Sequence, residues 1–353
     1  MASLSTLSNL LGEFISSLLT WKALALLLAL INLKNLPLVW HARLLHHLYR
    51  NLRRSPRDPH HPPSTHPLPH PTHPIFLPLT ITSRTPILET DYNFHKSNST
   101  YFSDLDIART ALATRIFTPG SRIVNRDLDA ELASSVTSPS TSGAKDSPQN
   151  GSKLRLYIAV GSVFCSFKRE IKPFERYEIT SRLIAWDEKW VYIVSYFVRP
   201  GKGGNGKKAK GKMLASALGK YVVKKGRVTV PPERVLRASG FLPERPDGAE
   251  FELVGESVTP GESGSEEGIT ATATATASGV DTEVVKEVIL NGGDGDGDGD
   301  AEKEEQRRRN VRLSWNEEDW PWERIEEERL RGLRVVEGYA GLDAKLFEEW
   351  GGE

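Results

Sequence analysis

The residues whose types and spacing could do chemistry lie in one short stretch, Asp91-Tyr-Asn-Phe-His95-Lys-Ser-Asn98-Ser-Thr-Tyr101. A carboxylate such as Asp91 can act as a base or as a nucleophile. An imidazole follows at His95, an amide at Asn98, and hydroxyls at Ser99, Thr100 and Tyr101. Ser99 and Thr100 are candidate helix N-caps, and a helix start presents free N–H groups and a positive dipole end to an anion. Each residue also has a plainer reading. Asp91 and Asn93 suit a strand-to-helix turn, Asn98 suits a turn or cap, and His95 suits a partly buried, satisfied position. Eight of the nine histidines lie between His41 and His73, so His95 is the one imidazole expected inside the folded domain.

The surrounding elements must position this stretch. Residues 74–90 read as an extended segment or a pair of short strands. Tyr101, Leu105, Ala108 and Leu112 recur at helical spacing, widened by Phe102 and Ile107. They predict one mostly buried helix ending near Thr118-Pro119-Gly120, a strong stop signal. Residues 133–152 are rich in Ser, Thr and Gly and read as a surface loop. Four strand-like runs follow at 154–171, 175–188, 189–199 and 212–226. A tight turn around Asp187-Glu188 joins the middle pair, and a basic glycine-rich loop at 200–211 joins the last pair. A Pro-Pro-Glu turn at 231–233 starts a short helix. A strand, a buried helix and four antiparallel strands predict an α+β fold in which a curved antiparallel sheet wraps one long helix. Such a sheet leaves an edge to be covered, which predicts a homodimer.

Outside this domain, expected over residues 74–243, composition shifts sharply. Residues 1–52 are expected to associate with a membrane, with an in-plane amphipathic helix or a helix packed on the folded domain as the plainer alternatives. The run 16–33 is almost wholly apolar apart from Lys22 and has roughly the length of a bilayer span. Trp21 and Trp40 flank it, and Arg43, Arg50, Arg53, Arg54 and Arg57 follow it, which predicts that the rest of the chain faces the cytosol. Residues 53–73 read as a solvated Pro/His-rich linker in preference to a metal-binding tract, since repeated Pro blocks a compact ligand cage. Residues 244–310 look disordered, with TATATATAS and GDGDGDGD tracts. Asp294, Asp296, Asp298 and Glu305 meet a calcium-loop pattern by composition alone. Residues 311–353 read as a helical tail, which Trp315, Trp320 and Trp322 would dock.

Lys plus Arg and Asp plus Glu both number 46, so no basic field argues for nucleic acid. A single cysteine, Cys165, excludes an internal disulfide and argues against a cysteine-based metal site. No metal ligand set and no phosphate-binding glycine loop opening a helix stands out.

The stretch 91–101 resembles the D-x-x-x-H-x-N-N-x-x-Y signature of the 4-hydroxybenzoyl-CoA thioesterase-like hotdog family, with Ser97 in place of the first Asn. Residues 171–193, IKPFERYEITSRLIAWDEKWVYI, resemble that family's entry into the central sheet. The N-terminal apolar segment, LPLVWHAR and the Trp/Glu/Arg-rich tail are similar to the thioesterase-superfamily-member-6-like branch and to fungal thioesterases of secondary-metabolite clusters, the leucinostatin-cluster type among them. The likeness spans about residues 74–235.

That resemblance implies a hotdog fold and hydrolysis of an acyl thioester carried on CoA or on an acyl carrier protein, in lipid or secondary metabolism. It implies catalytic roles for Asp91, His95 and Asn98. Asp91 would be base or nucleophile, and His95 and Asn98 would orient water or the acyl carbonyl. Ser99, Thr100 and Tyr101 would contact substrate at the helix start, where an oxyanion would be stabilised. Lys224 and Lys225, or the cations of 199–212, would meet CoA phosphates. No cofactor is implied beyond the CoA or phosphopantetheine of the substrate itself. Two alternatives stand beside this. One is a non-catalytic acyl-binding or scaffold protein. The other is a hydratase, whose D-x-N-P-x-H pattern fails here because His95 is four positions after Asp91 and Phe94 stands where Pro would be.

Overall fold

Six strands make one antiparallel sheet: β1 Leu79–Arg84, β2 Leu156–Phe167, β3 Arg176–Trp186, β4 Trp190–Gly201, β5 Ala209–Lys225 and β6 Val228–Val230. Their order is β1-β3-β4-β5-β2, with β6 beside β5. The computed structural model describes residues 4–18, 20–53, 72–136, 155–201, 209–246, 298–342, 345–346 and 349. Most of the 53–73 linker, the loop after residue 136, the basic loop 202–208 and most of the stretch 244–297, including Asp294 and Asp296, lie outside those residues.

The sheet follows from β-branched and aromatic runs joined by side-chain-closed turns. At the β3–β4 hairpin, the Asp187 carboxylate accepts from the N–H groups of Lys189 at 2.8 Å and Trp190 at 2.6 Å. One sheet face buries Tyr177, Ile179, Leu183, Ile193, Phe197 and Tyr221 against the long helix α4, Asn98–Val136. A curved sheet wrapped round one long helix is the arrangement expected from the sequence. Helix α5, Pro232–Ala238, forms at the Pro-Pro-Glu turn.

Helix α4 overrides its stop signal. It runs through Pro119, which removes one intrahelical hydrogen bond at a cost of about 3 kcal/mol. Continuing buries Val124 and Leu128, each worth about 1.5–3 kcal/mol. Gly120 permits the packing: a Cβ there would stand 2.4 Å from the Ser239 backbone nitrogen, just after α5. The helix also starts at Asn98, ahead of the expected caps Ser99 and Thr100.

The tail is ordered as a second layer. Helix α6, Asp298–Arg312, begins inside the stretch expected to be disordered. Helix α7, Trp322–Ala340, lies on the outer face of the sheet, where Leu333 and Val336 pack with Ile184, Ala185, Tyr192 and Val194. The approach is very close, because a Cβ at Gly332 would fall 1.9 Å from the Ile184 carbonyl oxygen. Trp315 and Trp320 ring the buried His73, which thereby joins the domain as a second imidazole beside His95. The expectation of one interior histidine is corrected by this contact.

The membrane-associated localisation and its cytosol-facing orientation are also corrected. Among the described residues, no helix is long and apolar enough to cross a membrane. The apolar run 16–33 is divided between α1, Leu4–Leu18, and α2, Trp21–Ile31. The 11 residues of α2 span about 16 Å, roughly half of a hydrocarbon core of about 30 Å. The chain then turns inward through a 3-10 turn at Leu33–Asn35, and helix α3, Val39–Arg53, packs on α4 through Leu44 and Leu48. What composition presented as a separate segment is docked on the domain.

Candidate active site

The loop between β1 and α4 is closed from within by Asp91. Its Oδ1 accepts from the N–H groups of Asn93 at 2.9 Å and His95 at 3.2 Å. The Asp91 N–H donates to the His95 carbonyl at 2.8 Å, and the Phe94 N–H to the Asp91 carbonyl at 3.1 Å. Phe94 takes a left-handed backbone, φ 59°, unusual for a residue with a Cβ. The turn leaves Asp91 and His95 half-buried, with Tyr92 and Phe94 strongly exposed. His95 Nε2 lies 3.0 Å from the Glu170 carboxylate, on the β2–β3 connection. The first turn of α4 follows at once, with Asn98 and Ser99 exposed.

Beneath this loop lies a polar cluster that sequence reasoning missed. Glu89 and Lys96, at the two ends of the loop, pair at 2.6 Å, and a β-bridge joins Thr90 to Lys96. The Lys96 Nζ also lies 3.0 Å from Asp104 on α4, and the Lys34 Nζ meets Glu89 at 2.9 Å and Asp104 at 2.8 Å. Arg43 stands 3.6 Å from Asp104, and the hydroxyls of Ser83 and Tyr177 donate to it. Burial pushes the Asp104 carboxyl up, but the Lys34 and Lys96 ammoniums and the Tyr177 hydroxyl outweigh it and hold it well below the usual carboxylate range. Burial and the same carboxylate push the Tyr177 hydroxyl up. A signal for Asp104 was present: it sits three residues after Tyr101 and four before Ala108, so it places a charge inside the apolar stripe. Such a charge requires a partner.

The expected site residues divide. Asp91, His95, Asn98, Ser99 and Thr100 lie together on the loop and the helix start. Thr100 is turned inward, its Oγ1 donating to the Ser97 carbonyl at 2.7 Å. Tyr101 is buried rather than open, with its ring among Phe167, Phe197 and the Lys96 ammonium, and burial pushes its hydroxyl up. Lys224 and Lys225 are not brought to the loop. The Lys225 ammonium is buried against the Asn125 carbonyl at 2.5 Å and Asp129 at 2.7 Å. Asn125 lies 27 helical positions beyond Asn98, or about 40 Å along the axis. Cations that share the loop's end of the sheet include Lys168, Arg169, Lys172, Arg199 and Lys212. The β2–β3 connection carries three of them, and its Ile171 carbonyl accepts from the Lys96 N–H at 2.8 Å.

The family described as the thioesterase-like superfamily matches residues 85–238, which include the whole loop and α4. Thioesterase lcsJ of Purpureocillium lilacinum is 32% identical over 364 residues, covering 97% of both chains. Probable thioesterase atnL of Emericella nidulans is 40% identical over 267 residues, covering 69% of this chain and 78% of its own. Thioesterase poxG of Penicillium oxalicum is 34% identical over 262 residues, covering 67% of this chain and 77% of its own. A helix-wrapping antiparallel sheet, an aspartate loop feeding its central helix, and full-length similarity to a named thioesterase agree: the chain belongs to the thioesterase-like superfamily, with the hotdog fold.

Proposed function

We propose that this protein hydrolyses acyl-CoA thioesters at the loop 91–98. The observation that carries the reading is the placement of a half-buried carboxylate, Asp91, on a closed turn that runs directly into the start of the central helix. Oδ1 is engaged by the turn, and Oδ2 is the oxygen assigned to chemistry. It either removes a proton from water or attacks the thioester carbon itself. The carbonyl oxygen that gains charge is received by the N–H groups that the first turn of α4 leaves without intrahelical partners. By the first route the water adduct collapses, the carbon–sulfur bond breaks, the thiol leaves with the proton taken from water, and the carboxylic acid is released; by the second the thiolate leaves and takes a proton from solvent, and water then hydrolyses the Asp91–acyl anhydride, releasing the acid and restoring the carboxylate. His95, braced by Glu170, and Asn98 orient the water or the acyl carbonyl.

Lys168, Lys172 and Lys212 are exposed at this end of the sheet and suit the phosphates of CoA. A carrier-bound phosphopantetheine offers the same thioester with fewer phosphates, so these cations favour CoA. Placement in lipid or in secondary metabolism rests on the resemblance alone. The functional unit is a homodimer joined at β2, a sheet edge of 12 residues that carries the exposed Phe164 and Phe167. Sedimentation should give twice the 39.3 kDa chain mass, and a monomer at micromolar concentration would remove the dimer from this reading.

The catalytic test uses the full chain, a panel of straight-chain and aromatic acyl-CoAs, and detection of free thiol. Asp91→Asn keeps an oxygen that can accept from Asn93 and His95, so the turn persists while the base is lost. Thiol release should fall by roughly 10²-fold or more. Equal rates in the two proteins would return Asp91 to a purely structural role.

A further inference from the structure

Four buried side chains under the site loop form a closed ring of alternating charge. Lys34 touches Glu89 at 2.9 Å, Glu89 touches Lys96 at 2.6 Å, Lys96 touches Asp104 at 3.0 Å, and Asp104 touches Lys34 at 2.8 Å. Each carboxylate meets both ammoniums, and none of the four side chains is more than 15% exposed. Three corners belong to the loop and to α4. The fourth comes from the N-terminal segment, 55 residues before Glu89 and 70 before Asp104. The same segment clamps the loop's approach, since the Asn32 side-chain oxygen accepts from the Leu88 N–H at 2.7 Å.

We propose that Lys34 is a positioning residue for the reaction, holding the ends of the 89–97 loop on α4 so that Asp91 and His95 keep their geometry. The proposal rests on the site assigned above. The loop needs an external anchor because Phe94 holds a left-handed backbone, a conformation that persists only where its surroundings over-determine it. Glu89 and Lys96 supply those surroundings from both ends, and Asp104 ties them to the helix. Removing the Lys34 ammonium leaves two carboxylates sharing Lys96, with Arg43 a more distant cation at 3.6 Å from Asp104. Repulsion between Glu89 and Asp104 then acts across the joint between loop and helix. Loss of alignment by a fraction of an ångström lowers turnover without removing any group that touches substrate.

The test compares wild type, Lys34→Met, Lys34→Gln, Lys34→Arg and Asp91→Asn in the full chain. Octanoyl-CoA and palmitoyl-CoA hydrolysis is measured together with amide hydrogen exchange. For Lys34→Met and Lys34→Gln, kcat should fall by about 10-fold or more while KM changes by less than about threefold. Exchange at amides 89–97 should speed up by about 10-fold or more, with the β4 amides 191–197 unchanged. Lys34→Arg, which keeps the charge, should recover kcat to within about threefold of wild type. Unchanged kcat and unchanged loop exchange in the uncharged variants would overturn the proposal. So would an equal rise in exchange across β4, or unfolding of both uncharged variants, since either makes Lys34 a general fold determinant. If Asp91→Asn hydrolyses at the wild-type rate, the site assignment falls instead, and the exchange pattern alone decides whether Lys34 fixes the loop.

Discussion

Asp104 and Asp91 are both carboxylates near the start of one helix, and their surroundings give them opposite work. Asp91 is half-buried on a solvent-facing turn and bonded to backbone N–H groups. Asp104 is fully buried and held ionised by two ammoniums and a phenol. That environment makes Asp104 a pH-dependent stabiliser. Its folded carboxyl lies below the ordinary 3.8, so the unfolded chain takes up the proton first as pH falls. Its contribution is therefore complete above the ordinary value and is lost on acidification through and below about pH 4. Asp104→Asn should flatten the acid limb of a denaturation series measured from pH 7 to pH 3. At pH 7 it should cost about 3–5 kcal/mol, because two ammoniums remain buried against Glu89 alone. A variant as stable as wild type at neutral pH would show that the ring contributes nothing. The sequence motif carried Asp91, His95 and Asn98, but not this ring. Lys34, Glu89, Lys96 and Asp104 are brought together by tertiary folding, and only the charge inside the apolar stripe at Asp104 hinted at it.

Elements were legible where the local pattern and tertiary packing agreed. The four strand runs and the Asp187-Glu188 turn appear as read, because alternation and turn chemistry act over a few residues. The end of α4 was not legible. Pro119-Gly120 is a stop signal on local grounds, yet packing on α5 outweighs one lost hydrogen bond, and the glycine is there to admit the Ser239 backbone. Helix α7 repeats that logic at Gly332. No window of sequence shows that this glycine must sit on the Ile184 carbonyl, because the partner lies about 150 residues earlier in the chain. Arg329, one turn before, is buried and donates to the Trp186 carbonyl at 2.9 Å, so the helix has little freedom to slide. Gly332→Ala should therefore lift α7 from β3 rather than be absorbed. The expected loss is about 1–3 kcal/mol in urea denaturation, despite alanine's better helix propensity. A gain in stability would mean that the helix is not seated on the strand.

At the scale of the molecule, the boundary between the N-terminal segment and the domain falls inside what composition presents as one apolar stretch. Hydropathy sums residues without regard to what they touch, so 16–33 reads as a single span. The folded chain splits it at Leu18 and turns its second part inward at Asn32. Helix α2 contributes no buried residue. Beyond Ile31 the dependence reverses. Asn32 clamps Leu88, Lys34 completes the buried ring, the Trp40 indole donates to the Ser103 carbonyl at 3.2 Å, and Leu44 and Leu48 enter the core. Two truncations separate these roles. A chain beginning at Ile31 should keep its unfolding free energy to within about 1 kcal/mol, since little apolar area leaves the core. A chain beginning at Pro74 loses two buried leucines, each worth about 1.5–3 kcal/mol, and strips Asp104 of Lys34 and Arg43. It should lose more than about 5 kcal/mol, enough to unfold a domain of ordinary stability. If both truncations were equally stable, residues 32–53 would be an appendage, and the domain would end where composition placed it.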